Sequence, residues 1–531
     1  MKSTFQFLPV LVLTALGSAA AQSAPAENKA AARAAFEEAR KQFSSDMPGA
    51  VAALRRAVDL DPDYYEAHQY YILYRGVAAS RTGTDEEKKT AGAKVRAENE
   101  ALYEGLAAEQ PQRAAYQYAL GSLHQYSDPD RSLRHFERAV QLDPKCGEAY
   151  DSLAIHAEIR GQLERSREYH RKSVEVQPEE VKLWRHYVGS MLGAGIDRAV
   201  ATGLEMAKRH PDDAASIISY LATRARTEDK AREVYELLRT KFAKASVRSL
   251  TGLFSIYNRT DSARALALAE EMLALAPDNK EWPVLAAYAK AVRDLDAELK
   301  AGRAAEALAA LEKITLPRYG ADRRVLDLAK ARAQAALGQK DKAYADLLAV
   351  VTLKPTDETL AALHDYGRQL GKTAAAVTAE LAAARTAKAK PATPFTLVNL
   401  ATGKPVSLDA YKDRVVLVNF WYPLCGPCRG EFPFLQAVLE KYRGKGFEIL
   451  AINGHDPEEH MVLPLLEGWK LDFLPLKGTE EIVKAYKVRG FPANFLIAPD
   501  GSTFYEPPPV STIAAQRELE LQIEALLLWK T

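Results

Sequence analysis

The sequence predicts a multidomain chain: an all-α repeat solenoid followed by an α/β domain built around one strand, one turn and a pair of cysteines. Three observations predict it. From about Ala24 to Lys390 the composition turns to Ala, Leu, Arg and Glu at helical spacing, with almost no strand signal. Within this region Pro111, Pro144, Pro178 and Pro211 recur 33, 34 and 33 residues apart, and further steps of 33 reach Lys244 and Pro277. Beyond it, the β-branched, apolar run Val415-Val416-Leu417-Val418-Asn419-Phe420-Trp421 breaks at Pro423 and leads through Cys425-Gly426-Pro427-Cys428 into a helical pattern.

At 531 residues the chain exceeds one ordinary domain. Lys plus Arg number 71 and Asp plus Glu 70, a balance that argues against a dedicated nucleic-acid binder. The chain opens with Lys2, an apolar run from Phe5 to Leu16 and Gly17-Ser18-Ala19-Ala20-Ala21. That order predicts a signal peptide over 1–21 with cleavage after Ala21, and hence export, to the periplasm of a bacterium with two membranes. The run is short for a membrane span, so an uncleaved anchor is the lesser alternative.

Residues 24–372 are expected as the solenoid. Ala57-Val58-Asp59-Leu60-Asp61-Pro62, Ala139-Val140-Gln141-Leu142-Asp143-Pro144 and Ser173-Val174-Glu175-Val176-Gln177-Pro178 share one pattern. A small or apolar residue lies five before proline, where a second helix packs on its neighbour, and proline then ends the helix. Tyr116, Tyr150 and Leu183-Trp184 supply bulky residues for first helices. These residues resemble the tetratricopeptide-repeat family, with seven to ten repeats. The period fails between Pro62 and Pro111 and between Pro277 and Pro355, where a longer helix or a broken repeat is expected. Such stacks leave a concave surface that usually takes a peptide or protein segment. Tyr64, Tyr65, Tyr70, Tyr71 and Tyr74 could line it, though at helical spacing they are expected chiefly as packing residues. Cys146 is expected to be buried as a small hydrophobe rather than paired between molecules.

Residues 373–393, rich in Ala, Thr and Lys and closing at Pro391 and Pro394, are expected as a linker whose early part forms a last helix. The α/β domain then spans 394–531. Its expected elements are a hairpin from Phe395–Leu400 and Val406–Leu408, strand Val415–Trp421, helix Cys425–Tyr442 and strand Phe447–Asn453. Helices around Glu458–Trp469 and Glu480–Tyr486 follow, then strands Asn494–Ile497 and Thr503–Glu506 and a helix from Ile513 to Trp529.

A helix starting near Cys425 places that sulfur where backbone N–H groups and the dipole favour a thiolate. Cys428, one turn on, is within reach as a resolving partner. Structural zinc would usually need two more ligands at comparable spacing, and the only other cysteine, Cys146, is far upstream. Thiol redox chemistry is therefore the favoured reading, with no cofactor beyond the dithiol and no metal.

Asn419-Phe420-Trp421 before Cys425-Gly426-Pro427-Cys428 resembles the active-site segment of the thioredoxin superfamily, and Asn419 with Glu431-Phe432-Pro433 is similar to its exported TlpA/ResA branch. The resemblance covers essentially the whole domain and implies a thioredoxin-like fold. It also implies that Pro492, in Gly490-Phe491-Pro492-Ala493, is a cis proline against the cysteines whose loop pairs with an incoming peptide. Glu431 becomes the acid that manages protons for the thiols, in place of the acid that Asn419 replaces. Trp421, Leu424, Gly426, Pro427 and Phe491 are expected along the substrate groove. Asp456 is read equally as a second family acid or as a plain loop aspartate, and His455 is expected to be exposed. Many family members carry Trp where Leu424 stands, a departure that bears on the groove.

The expected activity is thiol:disulfide exchange, with Cys425 attacking and Cys428 resolving. The Gly-Pro between the cysteines matches the reducing type. The family implies a transmembrane thiol donor of the CcdA/DsbD kind, and protein disulfide substrates, with apocytochrome c the best attested. The repeats would recruit the client. A repeat scaffold with an auxiliary redox domain is the alternative; a peroxidase would want Thr or Ser where Tyr422 stands.

Overall fold

The computed structural model describes residues 24–125, 127–455 and 458–528. The expected signal peptide, Asp456 and Trp529 lie outside them. Twenty α-helices among the described residues, from Ala26–Gln42 to Ala374–Thr386, precede a C-terminal α/β fold. Two compact units result. One ends at Leu153 and takes in Glu175–Gln177; the other comprises Ala154–Val174 and Pro178 onward, so it joins the later helices to the α/β fold.

In the first unit the small-residue pattern explains the packing. Ala32, Ala39, Ala50, Ala53 and Ala57 are fully buried, letting successive helices approach closely around Phe36 and Leu54. Ala57 and Ala139, each five before a proline, are both at 0% exposure. Asp46 and Asp128 cap their helices by accepting the N–H three residues on. The period fails before Pro111 because Asp85–Glu109 is one 25-residue helix, opened by a capping box at Thr84 and Glu87. Tyr65, Tyr71 and Tyr74 are buried, and Tyr64 and Tyr70 pack on Phe36. Cys146 is buried as well, and burial holds its thiol well above the ordinary value.

In the second unit Ser173, five before Pro178, is likewise fully buried. Proline does not always end a helix here: Pro211 is the first residue of Pro211–Thr223, where its missing N–H costs nothing. After Pro277 the period is broken by the 19-residue helix Trp282–Lys300 and the short Ala304–Leu311.

Among the described residues eight strands form two sheets: β1 (Lys390–Pro391), β2 (Thr396–Val398), β3 (Pro405–Ser407), β4 (Val415–Trp421), β5 (Phe447–Asn453), β6 (Leu474–Lys477), β7 (Ala493–Ile497) and β8 (Ser502–Tyr505). The main sheet runs β1-β8-β7-β4-β5-β6, with β4, β5 and β6 parallel and β7 antiparallel to β4; β2 and β3 form a separate hairpin. This mixed sheet with helices on both faces is a thioredoxin-type fold. Every residue of β4 is buried. Val415, Leu417 and Trp421 face the helices Gly426–Lys441 and Ile513–Leu527, while Val416, Val418 and Phe420 face Ile482 and Tyr486. Full burial of such side chains contributes roughly 1.5–3 kcal/mol each, so β4 anchors everything mounted on its end.

Two strands were not expected. β6 is a four-residue edge strand containing Pro475, and β1 is two residues with a proline in the stretch expected as a linker; both are too short to show a period. Residues 373–393 are thus mostly the helix Ala374–Thr386 plus an edge strand on β8 rather than a free connection. The Ala392 N–H donates to the Gly501 carbonyl at 3.0 Å and the Tyr486 hydroxyl to the Thr393 carbonyl at 2.8 Å, and other contacts far apart in sequence join the preceding helices to the α/β fold. Arg517 donates to both oxygens of Asp357 (2.9 and 2.7 Å), and the Tyr505 hydroxyl donates to the Thr352 carbonyl at 3.1 Å. Gly161, at φ +68, passes so close to Gly468 that a Cβ on it would lie 2.0 Å from the Gly468 Cα.

Candidate active site

The Gly426–Lys441 helix begins where β4 ends, and Cys425 is its N-cap. The two sulfurs form a disulfide, with Cα atoms 5.2 Å apart. The Cys428 N–H donates to Cys425 Sγ at 3.1 Å, so the first turn already directs a donor at the sulfur that would carry negative charge once reduced. Cys425 is 3% exposed and Cys428 fully buried, whereas Gly426 and Pro427 between them are exposed. Access is to the turn rather than to the second sulfur.

Glu431 lies one turn beyond Cys428 and is fully buried. Asn419 Nδ2 donates to one carboxyl oxygen at 2.7 Å; Asn494 Nδ2 and the Val510 N–H donate to the other at 3.2 and 2.9 Å. Burial pushes the Glu431 pKa up to about 7, against the pull of these donors and of the Arg224 charge. Desolvation wins, and the group is left poised to gain or lose a proton near neutrality. Strand register explains the two asparagines. Asn419 in β4 pairs with Asn494 in β7, so both amides lie on one face and Asn419 Nδ2 also reaches Asn494 Oδ1 at 2.8 Å.

The Phe491–Pro492 peptide bond is cis, and both residues are half-buried. The Phe491 ring stands edge-on to Tyr422 at 5.3 Å. It fits because residue 454 is glycine: a Cβ there would lie 2.4 Å from the ring. Leu424 is half-buried beside the cysteines. Trp421 is the correction among the groove residues. As the last residue of a strand buried on both faces it is 0% exposed, edge-on to Phe432 at 5.0 Å, and cannot line a groove.

Three participants were missed from the sequence. Glu458, with its side chain almost fully buried, accepts the Leu424 N–H at 2.8 Å and pairs with His455 at 3.3 Å, holding the turn just before Cys425. Asn494 had a legible signal, an amide inside an otherwise apolar strand, which needs a partner when buried. Val510 had none, since it contributes only a backbone N–H. His455 is half-exposed, near Tyr422. Among the described residues no group of acids, histidines and cysteines could hold a metal, and no helix is long and apolar enough to cross a membrane.

Comparison with known proteins bears on this part of the chain. Residues 389–503 match the AhpC/TSA family model. The thiol-disulfide oxidoreductase ResA of Bacillus thuringiensis subsp. konkukian is 34% identical over 105 residues, 20% of this chain and 60% of that protein. The ResA of Bacillus subtilis is 31% identical over 100 residues, 19% of this chain and 55% of that protein. The chain therefore spans less than two thirds of the length of these relatives. A crystal structure of a thiol:disulfide interchange protein DsbE from Chlorobium tepidum is 29% identical, covers 26% of this chain and 97% of that one, and has a TM-score of 0.25. The C-terminal part of the chain is a ResA-like thioredoxin-fold domain, and the helical region before it is consistent with a repeat array.

Proposed function

We propose that the protein is an exported thiol:disulfide oxidoreductase working in the reducing direction. The observation that carries this reading is the pairing of a disulfide at a helix N-terminus with a buried carboxyl one turn away whose pKa is about 7. In the reduced state the Cys425 thiolate attacks a client disulfide, forming a mixed disulfide and expelling one client thiolate. Cys428 gives its proton to Glu431, and its thiolate attacks Cys425 Sγ. The second client thiolate leaves, two electrons have passed to the client, and the disulfide seen here is restored. The Pro492 loop receives the client backbone beside Leu424, Gly426 and Phe491. With Tyr422 three residues before Cys425 and Cys428 already its partner, dithiol exchange is favoured over peroxide reduction.

In this reading the signal peptide delivers the chain to the periplasm, a transmembrane thiol carrier of the CcdA/DsbD kind re-reduces it, and the helix pairs act as tetratricopeptide repeats that recruit protein clients, with apocytochrome c a candidate. The test is the equilibrium potential of the cysteine pair in glutathione or dithiothreitol buffers, with Cys425→Ser as control. A value near or below about −250 mV supports reduction, and one near about −120 mV overturns the direction. Absence of any two-electron transition would leave a scaffold.

A further inference from the structure

Beside the disulfide lies a cavity of about 430 Å³ that the exchange chemistry does not use. It lies within the second unit and is lined by the helices Leu163–Val176 and Pro211–Thr223, the turn Met191–Ala194, Trp469 and the active-site helix. Gly426, the residue after Cys425, is part of its wall.

Four arginines, Arg167, Arg224, Arg226 and Arg429, line it together with one acid, Glu158. Arg167 is paired with Glu164, and Arg429 stands 3.2 Å from Glu158. The other two have no ion pair among the described residues. Arg224 Nη1 donates to the carbonyls of Gly430 and Ser511, both at 3.1 Å, and the Arg226 guanidinium lies 4.1 Å over the Phe434 ring. Arg224 Nε, Arg429 Nε and the hydroxyl of Ser166, a residue only 2% exposed, are buried without any hydrogen-bond partner. Arg429 Nη1 also lacks one, being near Glu158 in distance but out of line. Buried N–H and O–H groups left without acceptors carry a desolvation penalty with no return. A fork of guanidinium donors beside a hydroxyl suits a carboxylate. Leu163, Leu192, Pro433, Phe434 and Trp469 supply an apolar part of the wall, beside the hydroxyl-bearing Ser190 and Tyr220.

We propose that this cavity is a specificity pocket for a carboxylate, carried next to an apolar side chain, on the segment of the client that flanks its disulfide. Arg224, Arg226 and Ser166 receive the carboxylate, and Gly426 lets the client chain pass from Cys425 into the pocket. The proposal rests on the exchange reading for its purpose, but the binding event itself involves no thiol step. The carboxylate can come from an Asp or Glu side chain or from a chain terminus.

The test is calorimetric titration of the full chain with cysteine-free peptides: Ac-Ala-Asp-Leu-Ala-NH2, its Asn counterpart with both ends blocked, and the Asn peptide with a free C-terminal carboxylate. The Asp peptide should bind about tenfold more tightly than its blocked Asn counterpart, and Arg226→Gln should erase the difference. Tight binding of the free-carboxylate Asn peptide would support the pocket and identify a chain terminus as the source. Equal binding of all three peptides, or a preference that survives in a folded Arg226→Gln protein, overturns the proposal. Should that variant not fold, the wild-type comparison of Asp with Asn peptide decides alone. An Asp preference in a protein that exchanges no disulfide would refute the exchange reading and leave the pocket standing.

Discussion

Asn419 in the central strand donates its amide to Glu431 on the active-site helix at 2.7 Å, so the carboxyl that would handle protons is fixed to the most buried strand of the fold. The consequence is a titration that can be followed. An acid whose folded pKa lies above its ordinary 4.5 makes the native state hold the extra proton, so its contribution falls as pH rises from about 4.5 through about 7. Glu431→Gln removes that dependence. Denaturant melts of the oxidised proteins at pH 5 and pH 8 should show the Gln variant gaining on the wild type at pH 8 by on the order of 2 kcal/mol. An unchanged difference across this range would mean that Glu431 does not titrate there.

Exchange kinetics should carry the same group. The rate at which Cys428 resolves a mixed disulfide should change slope near pH 7 in the wild type, and Glu431→Gln should lose that break.

The two cysteines should differ in what their loss does. Cys425→Ser abolishes exchange, whereas Cys428→Ser still attacks and stops at the mixed disulfide, accumulating a covalent client adduct visible by intact mass. An adduct on Cys428 in the Cys425→Ser protein would reverse the roles.

Gly454 is held to its identity by Phe491. Gly454→Ala places a methyl 2.4 Å from the ring, so the ring and the Pro492 loop must shift. A stability loss of about 1–3 kcal/mol, with kcat/KM for client disulfides falling further than the loss of folded protein explains, is the expected outcome of thermal melts and steady-state assays.

Glu458→Ala leaves the Leu424 N–H without its acceptor in a half-buried turn. Stability should fall by about 1–3 kcal/mol, and Cys425 should alkylate at a different rate in the reduced protein. Glu458→Gln, which keeps an acceptor oxygen, should recover most of both.

Local pattern determined a great deal about this protein. The apolar run 415–421 and the cysteine spacing were enough to place strand, turn and helix, and the strands Val415–Trp421 and Phe447–Asn453 formed over the expected residues, because fully buried strands announce themselves by composition. Small residues before the prolines placed the helix pairs for the same reason: each is a statement about neighbours one or two turns away. What only the tertiary structure decided is which distant groups meet. Glu431 draws donors from positions 419, 494 and 510, Trp421 is sealed inside by Phe432, and Glu458 reaches back to Leu424. The arginines at 224 and 226 lie some two hundred residues before the cysteines, yet they line the cavity that Gly426 borders. Burial and desolvation set the Glu431 pKa and leave the Arg224 Nε unpaired, and both are properties of packed surroundings that no periodicity along the chain encodes.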